Sequence, residues 1–156
     1  MSTKQTLFSF AILITGLYSC TQSKKETSVS NLAVADSIKT SIKGCYLYTV
    51  NKDTFQLAIT AVNKNDVEGS IIYNFYEKDK NSGTIAGVIK GDTILADYTF
   101  NSEGTSSVRE VIFIRKGDQL AEGYGPMEEK GGRTVFTDKS KVKFGDYILL
   151  SPIECK

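Results

Sequence analysis

The sequence predicts an all-β fold, a single antiparallel meander of about eight strands, and three observations carry the prediction. Between Val67 and Arg115, apolar segments are cut at near-even intervals by polar turns. Within the segments apolar and polar residues alternate at a period of two, the spacing of a half-buried strand. Lys90-Gly91-Asp92 and Lys116-Gly117-Asp118 repeat one turn signal within and at the end of the stretch.

In chain order, the first segment is a secretory signal. Lys4 supplies a short positive region, and Leu7, Phe8 and Phe10 to Ile14 form an apolar core too short to span a membrane. It ends Leu17-Tyr18-Ser19-Cys20, which resembles the bacterial lipobox, in which the cysteine is acylated and becomes the mature N-terminus. The alternatives are an ordinary signal peptide cleaved nearby and an uncleaved anchor, and both also place the body outside the cytoplasm. An N-terminus carrying several acyl chains on Cys20 would hold the protein stably on the membrane. The expected location is the cell envelope, as an outer-membrane lipoprotein facing the periplasm or the cell surface.

Residues 21–30 are small and polar, the composition of a solvated tether. Val34, Ile38 and Ile42 recur every four positions, which predicts a short helix over 31–42 capped by Ser30 or Asn31, or else a coil laid over the domain. The expected division is therefore signal 1–19, lipidated tether with a short helix 20–43, and β domain 44–156.

From Cys45 the period changes to two. Strands are predicted over 45–50, 54–62 (Phe55, Leu57, Ile59 and Ala61 inward) and 67–75 (Val67, Gly69, Ile71, Tyr73 and Phe75 inward). Gly69 marks a bulge or a sharp bend. Lys78 to Gly83 forms the next connection, followed by strands over 84–90, 93–101, 107–115, 119–124, 133–137 and 147–151. Residues 125–132, GPMEEKGG, read as a mobile loop. An open sheet of this size has two edges that invite aggregation, and closure removes them. A small lipocalin-like barrel is the favoured architecture, with a β-sandwich second.

The three cysteines bear on closure. With Cys20 lipidated, Cys45 and Cys155 remain at the two ends of the strand-rich body, in a compartment where disulfides persist. A bridge between them would bring the first and last strands together. It would close a loop of about 110 residues, for which chain entropy predicts roughly 4–5 kcal/mol.

Composition excludes several function classes. At 156 residues there is room for one domain with one core. Lys+Arg 19 against Asp+Glu 18 leaves no basic surplus, so nucleic acid is not an expected partner. Histidine is absent, which removes Ser-His-Asp and Cys-His catalysis and histidine zinc sites. Asp79-Lys80-Asn81-Ser82-Gly83 resembles the start of a calcium loop, but its glycine is one place early and Lys90 stands where the bidentate glutamate should be. No metal or cofactor is expected.

Three polar groups remain as candidates. Asn74, Glu77, Lys78, Asp79 and Asn81 form the densest polar cluster, most simply a solvated hairpin tip. In the strand 107–115, Arg109 shares a face with Val111 and Phe113 while Glu110 shares one with Ile112 and Ile114, so both faces look buried and one charge points inward. An inward Arg109 requires a partner, either Glu103 or Glu77 in a structural salt bridge or an anionic ligand suited to its planar fork. Tyr73, Tyr76, Tyr98 and Tyr124 either line a cavity with their hydroxyls or fill a core that has no Trp. Glu77 with Asp79, or Glu103 with Glu110, could act as paired carboxylates, but nothing fixes their separation and an enzyme is not the expected reading. The candidate binding residues are accordingly Tyr73, Asn74, Glu77, Tyr98, Glu103 and Arg109.

With Tyr73-Asn74, Glu77-Lys78-Asp79, Gly83-Thr84-Ile85, Gly91-Asp92, Ser102-Glu103-Gly104 and Arg109-Glu110-Val111, the chain resembles a group of small, uncharacterised Bacteroidota lipoproteins. The resemblance implies an envelope location and brings no established activity. Two functions follow from the residues. One is a lipid-anchored binding module for a small amphipathic or anionic ligand. The other is an interaction or inhibitor module with a solid core that contacts an envelope protein.

Overall fold

The computed structural model describes residues 42–78, 80–102 and 104–156. The signal segment, the lipobox with Cys20, the tether and the predicted helix up to residue 41 lie outside the described residues, as do Asp79 and Glu103.

Ten strands follow one another: β1 (Gly44–Val50), β2 (Asp53–Asn63), β3 (Asp66–Asn74), β4 (Asn81–Lys90), β5 (Thr93–Ser102), β6 (Thr105–Lys116), β7 (Gln119–Tyr124), β8 (Met127–Lys130), β9 (Arg133–Phe136) and β10 (Lys143–Ile153). A short 3-10 turn, Lys139–Lys141, precedes β10. Strands β1 to β7 pair antiparallel with their sequence neighbours, and β10 pairs antiparallel with both β7 and β1. The result is a closed, eight-stranded, lipocalin-like barrel, as the even spacing predicts. The tight turns work as read, with Gly91 and Gly117 supplying the positive φ, 58° and 67°, that a side chain would disfavour.

Two features of the seam and wall follow from the sequence. The β1–β10 ladder aligns Cys45 with Ile153, and just beyond it Cys45 and Cys155 form a disulfide across 5.2 Å between their Cα atoms. The β2–β3 register shifts between Ile59 and Ala61, opposite Gly69 and Glu68. A Cβ on Gly69 would lie 2.1 Å from the Ala58 carbonyl oxygen, so the glycine permits the bend expected there.

Three readings are corrected. Residues 127–130 of the expected loop form β8, hairpinned to β9. The predicted strand 133–137 is β9, but it is no barrel stave: the β8–β9 hairpin lies outside the wall and meets β6 through one parallel bridge, Arg109 with Thr134. The connection predicted over Lys78 to Gly83 lies earlier, since Asn81 and Gly83 belong to β4 and the positive φ between β3 and β4, 58°, is that of Glu77.

The outer hairpin explains why β6 looked buried on both faces. Val111 and Phe113 face the core, while Ile112 and Glu110 on the opposite side are also buried. Glu110 is held there from several sides. Its Oε2 accepts the Phe136 amide at 3.1 Å and faces Lys139 Nζ at 3.1 Å, and its Oε1 lies 3.7 Å from Arg133. Arg133 also reaches Asp97 at 2.7 Å. The two neighbouring charges of β6 are therefore divided by the sheet, with Glu110 outside, near Asp97, and Arg109 inside.

The barrel interior is solid over most of its length. Phe55, Leu57, Ile59, Val67, Ile71, Ile85, Ile89, Ile94, Phe113, Leu120 and Leu150 form one buried cluster. Ile42 joins it, 1% exposed, at the end where β1 begins, and its carbonyl accepts the Tyr46 hydroxyl at 2.9 Å. That end is closed. The other end carries the β3–β4 connection, and there the packing opens.

Candidate functional site

Strand parity builds the site. On β3, Ile71 lies in the core, Tyr73 comes next toward the open end and Phe75 follows. On β5 the same succession is Ala96, Tyr98, Phe100, and on β7 it is Leu120, Glu122, Tyr124. On β6, which runs the other way, Phe113 and Val111 lead up to Arg109. One polar layer therefore crosses the barrel directly above the packed core. Its four members are Tyr73, Tyr98, Arg109 and Glu122.

These side chains form a connected network. Tyr73 Oη donates to Glu122 Oε1 at 2.7 Å and accepts from Arg109 Nη2 at 3.1 Å. Tyr124 Oη donates to Glu122 Oε2 at 2.7 Å. Arg109 Nη2 stands 3.9 Å from Glu122 Oε1. Tyr98 Oη donates to Asn81 Oδ1 at 2.8 Å. The Arg109 guanidinium also lies over two ring faces, 5.4 Å from the Tyr73 centroid and 5.9 Å from that of Tyr98. Tyr98 stacks in turn on Phe100, with ring centroids 4.9 Å apart.

Burial sets the protonation of the layer. It raises the Glu122 carboxyl above the ordinary carboxylate range, opposed by the hydrogen bonds from Tyr73 and Tyr124 and by the charge of Arg109. Tyr73 is raised well above an ordinary phenol by burial first and by the neighbouring carboxylate second. Burial pushes Tyr98 up to about 12 against the pull of Arg109. At neutral pH both tyrosine hydroxyls hold their protons and can donate.

Above this layer lies a cavity of 380 Å³, open to solvent. Tyr73, Tyr98, Arg109 and Glu122 meet it from below, with Phe75, Phe100, Tyr124 and Ile148 around it and Lys78 and Asn81 on one side. The volume lies at the small end of the range for ligand pockets. No family model, curated protein or solved structure matches the chain. The site is read from its own chemistry.

Of the residues singled out from the sequence, Tyr73, Tyr98 and Arg109 come together at the cavity. Asn74 and Glu77 do not: both are exposed, since Asn74 points outward where Tyr73 points in, and Glu77 lies in the connection beyond the strand. Glu103 lies outside the described residues. Tyr124 lines the cavity, whereas Tyr76 is 52% exposed on the rim under Lys52 Nζ, 3.9 Å from its ring centroid. Among the described residues the carboxylate facing Arg109 is Glu122, not Glu77. The sequence does carry a signal for it. Leu120 and Glu122 share a strand face, so an inward Leu120 brings a carboxylate inside, where it needs a cation.

Proposed function

We propose that the protein is a lipid-anchored envelope module that binds a small amphipathic ligand bearing a single negative charge in the open end of the barrel. The observation that carries the reading is the state of Arg109. Its carboxylate neighbour already accepts two tyrosine hydroxyls, and the guanidinium makes one hydrogen bond to a described residue, at Tyr73. The side chain is 38% exposed beside the cavity, so much of its planar donor fork remains available to a ligand oxygen. Lys78 and Arg109 against Glu122 leave one positive charge in excess among the described lining residues. Phe75, Phe100 and Ile148 offer an apolar wall, and the pairing of such walls with a few fixed polar groups is what small-molecule sites have in common.

The test is a titration of the full-length chain with octanoate, octanol and octylammonium. Calorimetry measures the binding, and since the chain has no Trp, emission comes from its tyrosines, of which Tyr73, Tyr98 and Tyr124 line the site. Octanoate is expected to bind at least about tenfold more tightly than either analogue, a difference of about 1.4 kcal/mol. Equal binding of the three, or of none, overturns the reading.

The anchoring part rests on Lys4, the apolar run Leu7 to Ile14 and Cys20, and the Cys45–Cys155 bridge suits the oxidising compartment to which such a segment leads. Metabolic labelling with a fatty acid should mark the wild-type chain and leave Cys20→Ala unlabelled. Labelling that survives the substitution contradicts the assignment.

A further inference from the structure

We infer that the ligand enters head first, with its anionic group on the polar layer deep in the barrel and its apolar end at the mouth. The inference rests on the binding function proposed above and adds a direction to it. The direction comes from the vertical order of side chains along the strands. Solid core lies lowest, then Tyr73, Tyr98, Arg109 and Glu122, and then Phe75, Phe100 and Tyr124. The polar groups thus form the floor of the cavity and the aromatic rings its upper wall.

The reverse orientation is disfavoured by the floor itself. An alkyl end pushed down onto Arg109 would strip water from a guanidinium that has one hydrogen bond to a described side chain, and would put no acceptor in its place. A carboxylate in the same position accepts from that fork. It also meets the edge of a network whose other groups are satisfied: both Glu122 oxygens are engaged by hydroxyls, and Tyr98 is bonded to Asn81. At the mouth, Phe75, Phe100 and Ile148 are only partly covered by the core and Tyr124 is 46% exposed. An apolar chain lying there covers surface that would otherwise face water. Lys78 is the charged residue of the upper wall among those described, and its long stem lets its ammonium stay in solvent while the alkyl chain passes.

The orientation predicts where a ligand tolerates added bulk. Two isomeric probes test it, each an octanoate with a free carboxylate and one dansylamide group. In the first isomer the dansyl group is on the terminal carbon, and in the second on the carbon next to the carboxylate. Charge and mass are identical, so a difference reports geometry. Titrated into the full-length chain, the first isomer should bind within about threefold of octanoate and the second on the order of tenfold more weakly or worse. Arg109→Gln should weaken the first isomer by about tenfold, with an unchanged circular dichroism spectrum as the check on folding. A preference for the second isomer, parity between the two, or rejection of both while octanoate still binds overturns the orientation and leaves the binding function standing. Failure of octanoate itself to bind overturns both.

Discussion

Replacing Glu110 with alanine should detach the outer hairpin from the barrel without unfolding the barrel. The carboxylate is 6% exposed and accepts the Phe136 amide, a charge-assisted hydrogen bond whose loss costs about 1.5–3 kcal/mol. Its contacts with Lys139 and Arg133 contribute less, since those side chains are 46% and 39% exposed and such pairs are worth roughly 0.2–1 kcal/mol each. Relief from holding a carboxylate out of water offsets part of the sum, which leaves about 2–3 kcal/mol. Apart from this cluster the hairpin meets β6 through a single backbone bridge and the packing around Phe136 and Met127. The loss should therefore appear as local opening. Amide hydrogen exchange followed by mass spectrometry should show Arg133 to Phe136 exchanging faster by roughly 30-fold or more, with β1 to β5 unchanged. Glu110→Gln keeps an acceptor for Phe136 and should cost about half as much. Unaltered exchange in β9, or an equal loss of protection across the whole barrel, would refute the idea that Glu110 fastens a separate outer layer.

Three further outcomes are expected. Cys45→Ser with Cys155→Ser should lower the unfolding free energy in urea by about 4 kcal/mol, and a loss below 1 kcal/mol would show that the seam holds without its covalent link. Gly69→Ala forces a methyl group against the Ala58 carbonyl and should destabilise by about 1–3 kcal/mol, seen as a lower urea midpoint, whereas a neutral result would mean that the bend relaxes freely. The Glu122 comparison is with Glu122→Gln as a function of pH. Because the folded carboxyl is raised above 4.5, the folded state holds its proton more tightly than the unfolded chain does. The stabilising contribution of that proton is complete below pH 4.5 and is lost as pH rises through the folded value. The wild type should thus lose stability relative to the glutamine variant on going upward from pH 4.5. A gap that widens in favour of wild type over that window contradicts the assignment.

Much of the architecture was legible because it depends on parity and on punctuation, which are local. Phe55, Leu57 and Ile59, or Ile85 and Ile89, announce a buried face by their spacing alone, and Gly91 and Gly117 announce turns. Gly69 and the cysteine pair could be read because each has few physical explanations in its setting. Partnership across the barrel is a different kind of information. Parity brought Arg109 inside but could not say which strand would face it, and Glu77 and Glu103 drew notice as charges in turns. The register that sets Phe113 beside Glu122, and the curvature that carries Tyr73 to both Arg109 and Glu122, are properties of the closed sheet. Strand β8, and the place of the β8–β9 hairpin outside the wall, were missed for a related reason. The apolar residues of the hairpin, Met127, Val135 and Phe136, are too sparse to show a period, and its place is fixed by Glu110, whose face looked buried without any sign of what would cover it.

The closing seam has a consequence in time. From β1 to β7 every strand finds its neighbour immediately behind it in the chain, but the second edge of β1 is matched by residues 151–153. A chain delivered N-terminus first at synthesis speed leaves that edge unpaired for roughly 5–20 s, the time to add about 100 residues. Throughout that interval the growing meander presents an open strand, the form most prone to pair with another molecule. The last few residues decide when it ends, so a chain interrupted shortly before Ser151 would carry nearly all of the core and still be left with an open sheet.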